Sequence, residues 1–370
     1  MDLFLSPPAI LIPAFPKNLF LLIVLLAAII VSGILLKNKA YYALMSSAYT
    51  AVPALAVFTL LVVLMGLIPQ HSGTNSFLNG IKSSWTFYLA GFYLVVILMY
   101  ATGNHIRQFN TKNICFVLNH LGVIVILIAG GVKPGDYQDY TMTLKQGEPV
   151  WYATDRRGNT HELDFALEMK DFILEQHPPL LEILSEDNAS LNLVEIKTDA
   201  AQQTVKYEDL SLVIDTYLGE ATDAVPGYKN HFSPDAVSAI RFHVFKNDIP
   251  VVSNIWIDSG NAFLPPTTYT SGGYTIRLNK PMPKQYTTKA RLYKKGEEPE
   301  NINISVNHPA EINGWKLYQQ SYNTQMGKYT AISVLNLTND PWLPVMYFGF
   351  FLLMAGMATL FFKGKPKTVL

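Results

Sequence analysis

Five uninterrupted apolar stretches dominate the pattern of hydrophobic and polar positions, and each is long enough to cross a bilayer as a helix. They are Leu19–Leu36, Val52–Ile68, Trp85–Ala101, Ile114–Val132 and Trp342–Phe362. The long region between the fourth and fifth stretches is mostly polar. The pattern therefore predicts an N-terminal membrane region (1–132) with four spans (19–36, 52–68, 85–101, 114–132), a soluble domain (133–341), a last span (342–362) and a polar tail (363–370).

Short runs of the soluble region alternate apolar and polar residues, as half-buried β-strands do. The clearest runs are Leu210–Tyr217, Ala239–Phe245, Val251–Ile257, Tyr274–Leu278, Ala290–Tyr293 and Ile302–Val306. Turn-forming residues such as Asp258-Ser259-Gly260 separate them, whereas His161–Leu184 mixes strand and helix signals. The fold class predicted is a membrane protein, an α-helical transmembrane bundle of about five spans with a large, mostly antiparallel β extracytoplasmic domain inserted before the last span.

The basic residues of the short loops predict the orientation of the spans. Seven lie on one side (Lys37, Lys39, Arg107, Lys112, Lys363, Lys365, Lys367) and three on the other (Lys17, Lys82, Lys133). Because cytoplasmic loops carry the excess of positive charge, the N-terminus and the soluble domain are predicted to be extracytoplasmic. A cleaved signal peptide in place of the first span is the alternative, but its basic residues follow the apolar run.

Composition narrows the function classes. The chain has 370 residues, 49% hydrophobic and 15% charged, with a formal net charge of zero, which gives no electrostatic basis for nucleic-acid binding. Its single cysteine, Cys115, excludes an intramolecular disulfide, and no CxxC, CxxCH or zinc-type Cys/His spacing occurs. Hydrolase and phosphate-binding motifs are also absent from the sequence. No catalytic residue is predicted.

The fourth span carries Asn119 and His120 about a third of the way along its length. An ionisable residue at that depth costs roughly 2.5–3.5 kcal/mol and marks a candidate functional site. Two interpretations of His120 are equally compatible with the residues. Its imidazole is an axial ligand of haem iron inside a bundle, or it is satisfied by an interhelical hydrogen bond.

Other histidines are weaker candidates. His105, at the predicted cytoplasmic rim, is a possible second ligand, or with Arg107 a partner for a haem propionate, although a solvated loop histidine is the commoner case. His71 could ligate a haem on the outer side, but an ordinary loop residue is again commoner. The histidines of the soluble region have no metal-ligand spacing and are predicted to be structural; they are His161, His177, His231, His243 and His308.

Several segments resemble the ResB family, also called CcsB, of the System II cytochrome c maturation pathway. They occur in the family's order between about Val52 and Phe362. In the helical part they are Gly66–Gln70 with Pro69 and Gln70, Ser83–Phe87 with Trp85, Asn119–Gly122, and Asp340–Trp342 with Pro341, followed by Gly349 and Gly356. In the soluble region they are Leu167–Phe172, Ile304–Pro309 and Ile312–Tyr322, the last with Trp315, Tyr318, Gln319 and Tyr322. By its chemistry alone, the aromatic stretch Gly314–Tyr322 can pack a core or line a ligand or partner groove, and core packing is the commoner case.

The resemblance implies a haem-handling role. A ResB protein acts with a CcsA-type membrane partner to export haem and attach it covalently to the CxxCH thiols of apocytochrome c. The family's intramembrane histidine falls on His120, so transiently bound b-type haem, with His120 on the iron, is expected. The implied location is the cell inner (cytoplasmic) membrane with a periplasmic domain, in contact with lipid. The chain itself is then an accessory, non-catalytic subunit of a haem lyase complex.

Two features depart from the family. Leu19–Leu36 adds a fifth span to the usual four, and the tryptophans are dispersed, at 85, 151, 256, 315 and 342, so the tryptophan-rich segment of CcsA is absent. A separate partner is therefore expected. The rival hypotheses are a non-haem membrane-anchored scaffold for envelope assembly and a haem-bearing electron-transfer subunit. The latter needs paired histidines on facing spans, whereas His120 alone lies well inside one.

Overall fold

The computed structural model describes residues 12–70, 78–107, 110, 113–187, 189–199 and 202–362. The chain divides into two compact units. A helical unit comprises Met1–Gln138 and Asn339–Leu370, and a β unit comprises Asp139–Thr338. The candidates His71 and Lys112 and the predicted tail 363–370 lie outside the described residues.

The helical unit contains the expected apolar helices. Its α-helices are α1 (Lys17–Leu36), α2 (Ala40–Met45), α3 (Ala48–Leu67), α4 (Trp85–Arg107), α5 (Ile114–Val132) and α6 (Leu343–Phe362), with a 3₁₀ turn at Leu78–Ser83. Five of them, all except the short α2, are long and apolar enough to span a membrane. The predicted class, a helical membrane bundle with a β domain inserted before the last span, is confirmed.

Helices α4, α5 and α6 form the centre of the helical unit, because α5 packs against both of its neighbours along its length. Helices α1 and α2 lie against α4, and their shared core consists of Ile29, Tyr42, Met45, Ile97 and Tyr100. Much of the remaining surface of the helices is apolar and exposed, as membrane-facing surface is.

Apart from β1 beside β17, the neighbouring strands of the β unit pair in antiparallel fashion. Its strands are β1 (Gln138–Lys145), β2 (Pro149–Asp155), β3 (Thr160–Gln176), β4 (Leu180–Ser185), β5 (Ser190–Glu195), β6 (Gln203–Tyr207), β7 (Leu210–Asp223), β8 (Tyr228–Asn230), β9 (Val237–Lys246), β10 (Ile249–Asp258), β11 (Tyr269–Ser271), β12 (Tyr274–Leu278), β13 (Pro283–Lys294), β14 (Glu300–Ser305), β15 (Ala310–Ile312), β16 (Trp315–Tyr322) and β17 (Ile332–Asn339). The alternating runs predicted from the sequence fall in strands, except that Val306 lies just beyond the end of β14.

Three sheets organise these strands. The orders are β14-β13-β3-β2-β1-β17-β16-β15 in an eight-stranded sheet, β10-β9-β7-β6 with β8 beside β7 in a five-stranded sheet, and β11-β12-β4-β5 in a four-stranded sheet. The eight-stranded sheet encloses a core built from its own inward side chains, among them Met142, Leu167 and Leu317. The other two sheets share a second core, with Ile183 and Ile276 from one and Leu212 and Phe242 from the other. The β unit thus contains one sheet with a core of its own and two further sheets that share a second core.

Candidate functional site

Helix α4 continues beyond the predicted end of its span at Ala101 and reaches Arg107. The polar residues at this end keep the helix because each finds a partner. Asn104 Nδ2 donates to Ser46 Oγ at 3.0 Å, and the His105 ring lies against its own helix. His105 therefore belongs to the last helical turn of α4 and not to a loop.

His120 lies in α5 with its imidazole folded back along the helix. Its Nδ1 is 2.9 Å from the carbonyl oxygen of Phe116, one turn earlier. A carbonyl oxygen only accepts, so Nδ1 carries the proton and Nε2 of the neutral ring keeps its lone pair. An Nδ1–H bonded to a carbonyl is the arrangement that orients histidines for metal binding through Nε2. The donor chemistry of His120 fits haem iron.

His105 has the same arrangement on α4. Its Nδ1 lies 3.0 Å from the carbonyl oxygen of Ala101. The two imidazoles sandwich the phenyl ring of Phe116, with centroid distances of 3.8 Å to His105 and 3.7 Å to His120 and interplanar angles of 22° and 20°. The structure thus brings His105 and His120 into one cluster, in which Phe116 separates them.

Asn119 faces α6 next to the histidine. Its Oδ1 is buried and has no hydrogen-bond partner among the described residues. A Cβ atom built on Gly356 would lie 2.3 Å from this oxygen. Glycine at 356 therefore allows the α6 backbone to cover the Asn119 amide, with Cα–H groups as the nearest weak donors. One turn along α5, Gly122 and Gly349 make a similar close approach, because a Cβ on Gly122 would lie 2.7 Å from the Gly349 carbonyl oxygen.

Arg107 contacts α1 and α2. Its Nη2 donates to the Gly33 carbonyl oxygen at 3.0 Å, its Nη1 lies 3.4 Å from the Tyr42 hydroxyl, and its guanidinium carbon is 5.6 Å from the centre of the Tyr42 ring. The structure therefore gives Arg107 a helix-joining role. The suggested propionate contact remains a prediction.

The carboxylate of Asp136 connects the start of α1, the end of α5 and the start of α6. Asp136, just after α5, accepts hydrogen bonds from Phe15 N (2.7 Å), from Asn18 Nδ2 in α1 (2.5 Å) and from Trp342 Nε1 beside α6 (2.6 Å). Desolvation raises the pKa of Asp136, but these three hydrogen bonds together outweigh it, so the pKa lies below its ordinary value. Asn18 is almost fully buried at this point. Helix α1 is thus fastened at both ends.

The motif residues nearest the helices also have structural partners. Asp340 pairs with Lys133 at 2.6 Å, while its Oδ1 is buried without a hydrogen-bond partner among the described residues. Gln70 follows α3 and Pro69; it donates to the Ile68 carbonyl at 2.9 Å and accepts from the Lys82 backbone at 3.2 Å. Pro341 is exposed, and Trp85 begins α4 with its ring 44% exposed.

The aromatic stretch predicted to fill a core or a groove serves mainly as core. Trp315 and Gln319 are buried on β16, and Gln319 Oε1 accepts from the Thr288 hydroxyl at 2.5 Å. Tyr322 packs against Phe172 with ring centroids 5.0 Å apart. Tyr318 points the other way, as strand alternation requires, and is 38% exposed.

The β unit has no arrangement typical of a metal or catalytic centre among its described residues, and no group of three potential metal ligands occurs in the described part of the chain. His161 lies 3.3 Å from Asp155, and the Asn159 side chain is the largest cause of the strongly lowered pKa of that carboxyl. His243 lies 3.1 Å from Asp215. Both histidines thus have carboxylate partners, as structural residues do.

A comparison with models of protein families gives a match within the β unit. Residues 265–333, which run from the segment before β11 to the start of β17, match the model of the ResB-like family. The match covers 69 of the 370 residues and supports the resemblance to the ResB family that the sequence motifs indicate. A search of curated proteins found no match. The ResB-like family is associated with cytochrome c biogenesis, and five helices of this chain are long and apolar enough to span a membrane.

Three residues that shape the helical unit are not recognisable from the sequence pattern: Phe116, Asn18 and Asp136. Phe116 appears in the sequence as one more apolar residue of a span, and its position between two imidazoles depends on how α4 and α5 face each other. Asn18 and Asp136 flank apolar stretches, where polar residues are common. An asparagine at the very start of an apolar run was the available signal, because such a group must find a partner when buried.

Proposed function

We propose that this chain is a membrane subunit of a System II cytochrome c maturation complex, in which it works with a CcsA-type partner to present haem to apocytochrome c. The family match supports the cytochrome c context. The observation that carries the haem role is the His120 imidazole, held in an apolar helix with its Nδ1–H bonded at 2.9 Å to Phe116 and its Nε2 lone pair available.

In this proposal the residues of this chain would bind the haem and orient it. His120 would hold the iron through Nε2, and the Phe116 carbonyl fixes its tautomer and ring direction. The close crossing of α5 and α6 at Gly122 and Gly349 helps to hold α5, which carries His120, in place. Bound haem supplies the vinyl groups to which the apocytochrome thiols attach. Since the substrate brings its own nucleophiles, the chain needs orientation and exclusion of water more than acid–base residues.

The proposed location follows from the same role. The helical unit would lie in the inner membrane with lipid around it, and the β unit would lie on the periplasmic side, where apocytochrome c receives its haem. The pattern of basic loop residues supports this orientation.

The test uses the full chain co-expressed with its CcsA-type partner. The purified complex is compared as wild type, as His120→Ala and as His177→Ala, an exposed histidine of the β unit. We expect a Soret band in the wild type and the His177→Ala complex, with a reduced and shifted band and fewer mature c-type cytochromes for His120→Ala. Haem content and maturation unaffected by His120→Ala would remove this residue from the mechanism. A wild-type complex without haem would favour the scaffold hypothesis.

A further inference from the structure

The sandwich of rings at His105, Phe116 and His120 restricts how the two histidines can act. Each imidazole lies nearly parallel to the phenyl ring at 3.7–3.8 Å between centroids. Two rings at that distance cannot share one face of the phenyl ring without overlapping. They therefore occupy opposite faces, and their centres are about 7.5 Å apart, roughly twice a stacking distance.

The two imidazoles have equal capacity to bind a metal. Both Nδ1 atoms are committed to a carbonyl one turn earlier in their own helix, at 3.0 Å for His105 and 2.9 Å for His120. Each Nε2 then carries a lone pair in the neutral ring. No hydrogen bond to either Nε2 occurs among the described residues. A histidine with only a packing role would be stabilised by a hydrogen-bond donor to its Nε2.

One iron cannot use both Nε2 atoms in this arrangement. Two axial ligands bind opposite faces of a porphyrin, so the macrocycle must lie between them. Here the Phe116 ring fills the space between the two imidazoles and lies nearly parallel to both, so no porphyrin could lie between them. The two histidines are therefore either one ligand and one packing residue, or two separate ligands.

The depths of the two residues differ. His105 lies two residues before the end of α4, and His120 lies six residues after the start of α5, at the same end of this antiparallel pair. At 1.5 Å per residue these positions are about 3 Å and about 9 Å from the helix ends. Phe116 lies one turn nearer the start of α5 than His120, so His105, on the opposite face of the Phe116 ring, lies nearer the helix ends than His120 does.

We propose that His105 and His120 are two separate ligand positions for an iron porphyrin at successive depths, with Phe116 as the positioning residue that keeps them apart. This inference rests on the proposed function, since it concerns the same cofactor. It adds a second iron-binding position at His105, near the loop between α4 and α5. One iron porphyrin would occupy either this position or the one at His120. The second axial ligand of an iron at either position must come from outside this pair.

The test measures haem content and absorption spectra of the full chain with its CcsA-type partner. The variants are His105→Ala, His120→Ala and the double variant. We expect His120→Ala to keep part of the bound haem with an altered Soret band, and the double variant to lose that remainder. Haem held by the partner itself contributes equally to both and cancels in the comparison. Equal content and equal spectra for His120→Ala and the double variant would overturn the inference.

A matched pair distinguishes ligation from packing at position 105. In the His120→Ala background, His105→Met supplies a thioether that can bind iron, whereas His105→Leu supplies a side chain of similar size without a ligand. We expect the methionine variant to retain haem with a shifted spectrum and the leucine variant to lose it. If both behave alike, His105 has a packing role only. Absence of haem from the wild-type complex would instead defeat the proposed function itself.

Discussion

The crossing of α5 and α6 depends on glycine at position 356, and Gly356→Ala should separate the two helices. An alanine Cβ there would lie 2.3 Å from Asn119 Oδ1, 2.7 Å from its Cγ and 3.0 Å from its backbone nitrogen. The backbone nitrogen cannot move without the helix, so rotation of the Asn119 side chain alone does not relieve the overlap. The helices must part by about 1 Å, an overpacking of the kind that costs about 1–3 kcal/mol.

The expected effect on thermal stability follows from the size of the helical unit. For domains of comparable length each kcal/mol shifts the Tm by about 2–4 °C, so Gly356→Ala should lower it by about 2–12 °C. The assay is the thermal unfolding of the full chain in detergent, followed by loss of the monodisperse peak in size-exclusion chromatography. Haem content should fall as well, since Asn119 precedes His120.

Gly130→Ala is the matched control. It lies on the partner helix α5, where an added Cβ would meet no atom within 4 Å. Because alanine favours helix, this change should be neutral or stabilise by about 0.5–1 kcal/mol. If Gly356→Ala unfolds at the wild-type temperature, or if both variants lose stability equally, the close approach at Asn119 does not hold α5 and α6 together.

Two further predictions concern buried carboxylates. The pKa of Asp136 is lowered in the folded protein, so its hydrogen bonds stabilise the fold fully above the unfolded-state pKa near 4. This stabilisation is lost as the pH falls through the folded-state pKa. Thermal unfolding between pH 6 and pH 3 should show the loss in the wild type and not in Asp136→Asn. Arg277→Ala should cost about 1.5–3 kcal/mol, because Glu182, bonded to Arg277 Nη2 at 2.5 Å, becomes a buried charge without its cation. Adding Glu182→Gln should restore part of the lost Tm; no restoration would contradict that cause.

The elements that depend on local pattern were predictable, whereas the contacts between elements were not. Apolar length predicted the spans, and two-residue alternation predicted strands such as Tyr274–Leu278, whose bounds match the structure. The end of α4 was placed too early at Ala101, because Asn104, His105 and Arg107 look like loop residues in the sequence. Asn104 and Arg107 stay helical because they bond to other helices, and His105 because its ring bonds back to Ala101; a pattern of polarity contains no information on such partners.

The candidate site shows the same limit. The cost of an ionisable group in a span identified His120, but it left ligation and packing equally probable, since both explanations satisfy one polar group. The structure shows that the proton of Nδ1 is used within the helix and that Phe116 occupies one face of the ring. An interhelical hydrogen bond of the imidazole, the packing alternative, is not formed with any described residue.

The additional first helix also bears on the site. Helix α1 bonds to Asp136 through Asn18 at one end, and at the other its Ser32 hydroxyl and Gly33 carbonyl contact Tyr100 and Arg107 of α4 at 2.8 and 3.0 Å. Tyr100 and Arg107 flank His105 on the same helix. A cleaved signal peptide would remove these partners; the loss would cost most at the buried Tyr100, about 1–3 kcal/mol for a buried polar group left without its hydrogen bond. The additional first span, α1, is therefore part of the framework that positions His105 against Phe116.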